Sequence, residues 1–595
     1  MANRRGFLLL ALAFLARGQA PEGSMALTLS MERPNAHYYH ITFRCDGLAG
    51  DTQDFKMPAW TPGYYRIMDY AKNVVNFRAA DGGGHALAWQ KAAKNTWRVA
   101  SRNAPSITVS YDVYAFTPFV AESYLDETRG YITPASLFLH VAGKIQHPVT
   151  LAIRPYSNWT RISTGLEPVA GRSNTFSASD FDVLYDCPIL MGNQESMRFD
   201  VQGVPHEIVF ENVRDVDRAR LTADLKRMVD AAARIIGEIP YRHYTFLAMG
   251  AGNGGIEHLN SAAMMFNGSS LNNAEGYTRW LSYAAHEFFH TYNVKRIRPV
   301  ALGPFDYDKE NYTDLLWVSE GFTVYYQDLI LVRAGLMTRD QYLDRVRANI
   351  AKYENTPGHL MQSAAESSFD TWIKFFTRNE NIANTTISYY DKGAALGLLL
   401  DLKIRNETGN RKSLDDVMRA LYRKYFQERK RGFTDAEFRE ECDSAAGVPL
   451  TEIFEYASTV KDIDYPKYFG YAGLEIDVTP REQSGAFLGV VTQLQDGNMT
   501  VSSVEPDSPA QQGGLMAQDQ IVALDGQRIG TRPLAEMLHS KKPGDKVRVL
   551  ISRRNLVHEV EIVLGKKTER SFKIKPALNP SPLEAATLKD WLKEQ

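Results

Sequence analysis

From Met25 to Val204 the apolar positions fall in short alternating runs rich in β-branched and aromatic residues. HYYHITFRC, SITVSYDVYAF and VTLAIRP are examples, and turn clusters such as DGGGH and RNAPS separate them. Period-two runs of this length predict strands, and residues 25–204 read as an N-terminal β-sandwich domain. One stretch breaks the alternation. MPAWTPGYYRIMDYAKNV (57–74) carries two prolines, a glycine and several aromatics, which predicts an ordered loop packed against another part of the chain. Near Ala219 the period lengthens. DLKRMVDAAARIIGEIP has helical spacing and stops at Gly237 and Pro240, and YTFLAMG (244–250) reads as a strand. Helical patterns dominate from Tyr277 to about Gly470, so residues 205–470 form a second, mainly helical domain. Strands return in FLGVVTQL, MTVSSV, QIVALDGQRI, KVRVLISR and VHEVEIVLG, giving a small third domain over 471–568. Residues 569–595 read as a charged C-terminal tail ending in an amphipathic LEAATLKDWLKEQ.

Length and composition change this picture little. The 595 residues are enough for about three or four domains. Lys plus Arg is 68 against 70 acids, a net charge of −2, which argues against a nucleic-acid protein. The first twenty residues differ from the rest. Arg4-Arg5, the apolar run GFLLLALAFLA and small residues up to Ala20 predict a cleavable secretory signal (1–20). NRRGFL leaves a Sec or a twin-arginine route open. The expected location is periplasmic or secreted, with no integral membrane segment after cleavage. Cys45, Cys187 and Cys442 have no metal-site spacing. The first two could pair if strands bring them together, or stay as buried thiols.

The chemistry concentrates in AAHEFFHTYNVKRIRP. On a helix His286 and His290 lie one turn apart on one face, so both imidazoles can reach one cation. Glu287 sits about 100° round the helix, within reach of a water on that cation. A catalytic zinc needs a third protein ligand and one open position. Position 296, where a histidine-type third ligand would fall, is arginine. DLLWVSEGFTVYY instead offers Glu320, an acid inside an apolar run and costly to bury unless paired or bound to metal. Lys295, Arg296 and Arg298 have two readings: cations compensating a helix C-terminus, or a basic wall facing a substrate carboxylate or an acidic partner.

HEFFHTYNVKRIRP followed by LLWVSEGFTVYY resembles the glycyl aminopeptidase family of secreted bacterial zinc peptidases, distant relatives of aminopeptidase N. MPAWTPGYYRIMDYAKNV is similar to a signature loop of that family's N-terminal β-domain, and the C-terminal strands are similar to its PDZ domain. The resemblance covers nearly the whole mature chain. It implies a gluzincin (thermolysin-like) catalytic domain with one Zn²⁺ per chain on His286, His290 and Glu320. It also implies removal of a small first residue, Gly or Ala, from peptides with a free amino terminus, with Glu287 as general base. In GGIEHLNSAAMM, Gly254, Gly255 and Glu257 match the strand that binds the peptide backbone and its amino terminus, with His258 where the relatives have asparagine. SYYDKGAALGLLL matches the motif whose tyrosine hydrogen-bonds the oxyanion; the spacing gives Tyr390, with Tyr389 adjacent. In the PDZ part, Phe487, Leu488, Gly489 and Val490 occupy the loop that would hold a peptide C-terminal carboxylate. The competing reading is a PDZ-containing peptide-binding protein with an endopeptidase or inactive metallo-domain.

Overall fold

The computed structural model describes residues 23–211, 216–250, 254–265, 268–531 and 533–593. The expected signal (1–20) lies outside them. The N-terminal part is a β-sandwich. A seven-stranded sheet is centred on Met25–Ser30, Tyr38–Asp46 and Ser106–Tyr114. Alternate residues of these strands, among them Leu27, Ile41, Phe43 and Val109, point into one core. Phe55, Trp97 and Val99 of a four-stranded sheet close that core, as do Ile132, Ile189 and Met191 of another. Cys45, Cys187 and Cys442 are buried free thiols; burial pushes each thiol pKa up, which keeps them protonated.

The sandwich ends earlier than the apolar pattern suggests. Strand β1 (Glu195–Val201), expected in the first domain, pairs with β2 (Val204–Phe210) and joins the sheet of the second domain. The cause is local. Gln202 and Gly203 both have positive φ, 53° and 82°, the signature of a two-residue hairpin turn, and such a turn holds both strands in one sheet. That five-stranded sheet continues with β3 (Tyr244–Met249), β4 (Gly255–Glu257) and β5 (Ser261–Met265), with β4 at its edge beyond β5. Helix α1 (Arg218–Ile236) crosses between the parallel strands β2 and β3. The Asp217 carboxylate caps its start and Gly237, at φ 108°, ends it.

Three helices frame the space beside β4. Helix α2 (Ala274–Phe289) is capped by the Asn273 side chain. Helix α3 (Gly321–Arg333) follows the short turn Leu316–Ser319, and α4 (Tyr389–Glu407) crosses it. The crossing is close because Gly321 and Gly393 meet backbone to backbone, leaving no room for a Cβ on either. Among the described residues no helix is long and apolar enough to cross a membrane.

The third domain carries a six-stranded sheet with helices at Pro509–Gln512 and Leu534–Leu538. It hangs on two antiparallel ribbons. Leu474–Asp477 pairs with Lys573–Pro576, and Pro480–Glu482 with Thr568–Arg570. The segment read as a tail therefore returns to the second domain, where helix α5 (Pro582–Leu592) packs on α3 and α4. Trp591 is fully buried there. Its indole N–H donates to the Tyr325 hydroxyl at 2.9 Å and its carbonyl accepts from Arg333 at 3.2 Å. Both partners lie on α3. Removing an indole from such a site typically costs about 3–5 kcal/mol. Trp591→Ala is therefore expected to lower the melting temperature of the helical domain by several degrees, read by calorimetry; an unchanged transition would contradict this account of the C-terminus.

Candidate metal and peptide site

His286 and His290 project from the last turn of α2 toward Glu320, which stands at the junction of the Leu316–Ser319 turn and α3. The three donor atoms form a tight triangle. His286 Nε2 lies 3.1 Å from His290 Nε2, and Glu320 Oε2 lies 3.6 and 3.2 Å from the two nitrogens. Three vertices of a tetrahedron with zinc-to-ligand bonds of ~2.0–2.1 Å are about 3.3 Å apart, so the donor set fits one such ion. The tautomers agree. His286 Nδ1 faces the Gln327 side-chain oxygen at 2.9 Å and His290 Nδ1 faces the Asn293 carbonyl at 2.7 Å. Each Nδ1 is thus a donor, which leaves both Nε2 lone pairs facing each other. Two facing lone pairs beside a carboxylate need a cation or a proton between them.

Charge follows this geometry. Burial pushes His290 down, but the Glu320 and Glu257 carboxylates outweigh it and raise the imidazole to about 9. Burial pushes Glu320 up, and the His290 and His286 rings outweigh that and hold it ionised. Glu287 is buried, and burial lifts its carboxyl to about 8; His290 opposes the shift, while Glu257 and Glu320 add to it.

Supporting side chains lock these groups. Asn293 donates to the Val318 and Ser319 carbonyls and to the Thr323 hydroxyl, at 2.9, 2.9 and 3.1 Å, and so ties the turn after α2 to the segment before Glu320. Gln327 lies seven residues after Glu320, two turns along the same face of α3. That spacing could have flagged it in the sequence.

Gly255 and Glu257 share one face of β4, and Ile256 points the other way into an apolar cluster with Val120 and Tyr131 of the first domain. The backbone at Gly255 lies directly against the Glu287 carboxylate and the Tyr283 hydroxyl, which a side chain there would strike. Carboxylate oxygens of Glu257 and Glu287 and a ring nitrogen of His290 all lie within 4.8 Å of one another. Gly254 lies beside Phe119 and Val120 at the start of the same strand. Tyr390 stacks on His286, with ring centres 6.3 Å apart at 27°. Tyr389 turns inward, sharing a 3.0 Å hydrogen bond with Thr371 and packing on Phe375. The pair is thereby sorted: Tyr390 faces the donor triangle and Tyr389 is core.

The basic run divides between the two readings: Lys295 meets acidic partners, while Arg296 meets carbonyls, one of them just past the end of α2. Lys295 Nζ lies 2.7 Å from Asp186, supplied by the first domain, and 3.8 Å from Glu257. Asp186 also accepts from the Leu259 amide at 2.7 Å and lies 3.4 Å from His258 Nδ1. One carboxylate from the sandwich thus fixes the strand that carries Glu257. Arg296 spends its guanidinium on the carbonyls of Leu259, Thr291 and Pro240. A link between positions 186 and 295 has no local signature.

In the third domain Phe487, Leu488, Gly489 and Val490 line a groove with Leu534, Leu538 and His539. Gly489 takes a φ of 88° and lies against Ser508. The strand Val490–Gln495 is the sheet edge beside this groove.

Domain families match in the same order. A Peptidase M61 N-terminal domain matches residues 26–193, M61 glycyl aminopeptidase residues 279–396, and a PDZ domain residues 486–564. The crystal structure of an aminopeptidase N family protein from Idiomarina loihiensis is similar over 96% of this chain and 100% of that one, with 28% identity and a TM-score of 0.88. An M1 zinc metallopeptidase from Deinococcus radiodurans is more distant: 11% identity and TM-score 0.48, over 75% of this chain and 96% of that one. A probable CtpA-like serine protease from Staphylococcus haemolyticus is 30% identical over 96 residues, 16% of this chain. The chain spans about a fifth of that curated relative's length, 19%. The chain thus carries, in order, segments that match the M61 N-terminal domain, the M61 glycyl aminopeptidase domain and a PDZ domain.

Proposed function

We propose that the protein is a zinc aminopeptidase that removes a small first residue, glycine or alanine, from peptides. The observation that carries this is the spacing of two acids. In a substrate the α-amino nitrogen and the first carbonyl carbon are about 2.5 Å apart. Glu257 and Glu287 offer oxygens within 4.8 Å of each other, so a peptide whose ammonium pairs with Glu257 presents only its first carbonyl to Glu287. Edge strand β4 supports the same pose, since its free backbone groups can pair with an extended peptide.

His286, His290 and Glu320 would hold the zinc, which when bound supplies Lewis acidity toward a carbonyl and lowers the pKa of water. Glu287 takes a proton from the attacking water and returns it to the leaving amine. The Tyr390 hydroxyl donates to the oxyanion as it forms, a contact worth about 10²–10³ in kcat in comparable sites. Lys295, held by Asp186, keeps Glu257 on its strand and offsets part of its charge while no substrate ammonium is present.

The third domain supports a second binding function, capture of peptide C-termini. Among the described residues the Leu488 and Gly489 amides donate to no protein acceptor, and they flank the groove where a terminal carboxylate would sit.

Glycyl and alanyl chromogenic amides, compared with their N-acetyl forms, test the counting from the amino end. The wild type is expected to cleave only the free-amino forms, and Glu257→Ala to lose about 10²-fold in kcat/KM on them, the loss of a desolvated charge pair. Equal cleavage of the acetylated forms would point to an endopeptidase.

A further inference from the structure

We propose that the N-terminal β-sandwich builds one wall of the first-residue pocket, through Gly63 and Tyr65, and that the Tyr65 ring sets which side chains are accepted there. This rests on the aminopeptidase reading above.

The segment 57–74 is the odd loop of the sandwich, and its partner is the catalytic domain. Ala59 N–H donates to the Tyr307 carbonyl at 2.7 Å, and the Trp60 indole donates to the Asp306 carbonyl at 2.9 Å. Trp60 also meets Trp372 edge-on at 5.0 Å. Beyond this anchor the chain turns tightly. Thr61 bridges to Tyr64, and Gly63 takes a φ of 86°. That conformation favours glycine, and contact requires it too. A Cβ at Gly63 would lie 2.6 Å from Ile256 Cγ2 and 2.9 Å from Glu257 Oε2. The backbone of the sandwich loop is therefore seated on the carboxylate that pairs with the substrate amino group.

Tyr65, two residues after Gly63, is 2% exposed. Its ring is the first of an aromatic ledge that runs into the site. Tyr65 is 6.2 Å from Phe376, Phe376 is 5.2 Å from Phe375, Phe375 is 5.6 Å from Tyr390, and Tyr390 is 6.3 Å from His286. Among the described residues no protein group hydrogen-bonds the Tyr65 hydroxyl. After burial itself, the nearby charges felt most by this phenol are Glu320 and Glu257. A buried aromatic edge between the amino-terminal anchor and the donor triangle stands where the first side chain of a bound peptide must go. Glycine and alanine clear it; a branched or aromatic side chain meets the ring and the Gly63 turn.

The test is a panel of glycyl, alanyl, leucyl and phenylalanyl amides with full-length wild type, Tyr65→Ala, Tyr65→Phe and Gly63→Ala, each checked for zinc content and thermal unfolding. Tyr65→Ala is expected to raise the leucyl-to-glycyl ratio of kcat/KM at least tenfold, and Tyr65→Phe to keep the wild-type ratio. Gly63→Ala is expected to raise KM on all four amides more than it lowers kcat. If Tyr65→Ala does not fold, Tyr65→Leu, which keeps apolar volume but removes the ring, reads the same ratio. A folded, zinc-loaded, active Tyr65→Ala or Tyr65→Leu enzyme with an unchanged ratio would overturn the proposal. A wild type that cleaves none of the amides would instead overturn the aminopeptidase reading, and the pocket assignment with it.

Discussion

Glu320→Gln is expected to leave a protein that folds but retains less than a tenth of an equivalent of zinc after dialysis, with peptidase activity reduced to background. Without the carboxylate, only two imidazole nitrogens 3.1 Å apart are left of the triangle. Outer-sphere partners of metal ligands alone are worth about 10–100-fold in affinity, and loss of a directly bound anion costs more. Elemental analysis against the wild type, expected at one zinc per chain, reads the result; a Glu320→Gln variant holding a full equivalent of zinc with wild-type activity would refute the ligand assignment. The same triangle sets a pH dependence. Without metal the His290 imidazole is raised to about 9, so at pH 7 it carries the proton that sits among the three donors. Zinc must displace that proton. Affinity is therefore expected to rise with pH, about tenfold per unit, until His290 has titrated, and to fall on acidification. Zinc titrations at several pH values, in buffers of different ionisation enthalpy, measure the proton released.

The triangle was legible because its chemistry is local. His286 and His290 are one helical turn apart in a run free of proline and glycine, and Glu320 stands out as an acid among Leu315, Leu316, Trp317 and Phe322. The choice between Tyr389 and Tyr390 was less legible. Adjacent helical positions point about 100° apart, and only the Thr371 hydroxyl on Tyr389 and the His286 ring beside Tyr390 decide which faces inward. The loop that carries Gly63 and Tyr65 stood out as one that packs on another part of the chain, but its partner could not be read, and the role of Asp186 could not be read at all. Each lies in the sandwich and acts on β4 or its neighbours from sequence positions far away, and no periodicity encodes a contact across a domain interface. The first domain boundary failed for a related reason. The strand 195–201 has the same alternation as those before it, and only the two-residue turn at Gln202-Gly203 assigns it to the next sheet. The C-terminal helix was visible as an amphipathic pattern, but its docking on α3 depends on Arg333 and Tyr325, more than 250 residues upstream.

Glu287→Gln is expected to separate metal binding from chemistry. Glu287 lies on α2 between the two histidines but about 100° from the face they share, so the amide leaves the donor triangle intact, and zinc content should stay at one per chain. What changes is the ability to hold a proton. A positioned base contributes about 10²–10⁴-fold, so kcat is expected to fall on the order of 10³-fold with little change in KM. The pH profile gives a second readout. The carboxyl must be ionised to accept a proton from water, so kcat/KM falls as pH drops through its pKa. Burial raises that pKa, to about 8 in the metal-free site, and a divalent cation on the neighbouring donors pulls it back down. The acid limb of the wild type is therefore expected below pH 8 yet above the ordinary carboxylate range, and it should vanish from the residual activity of the amide variant. A Glu287→Gln protein that keeps one zinc and more than a tenth of wild-type kcat would show that another group moves the proton. Tyr283, whose hydroxyl lies beside the same carboxylate against Gly255, would then be the next side chain to replace.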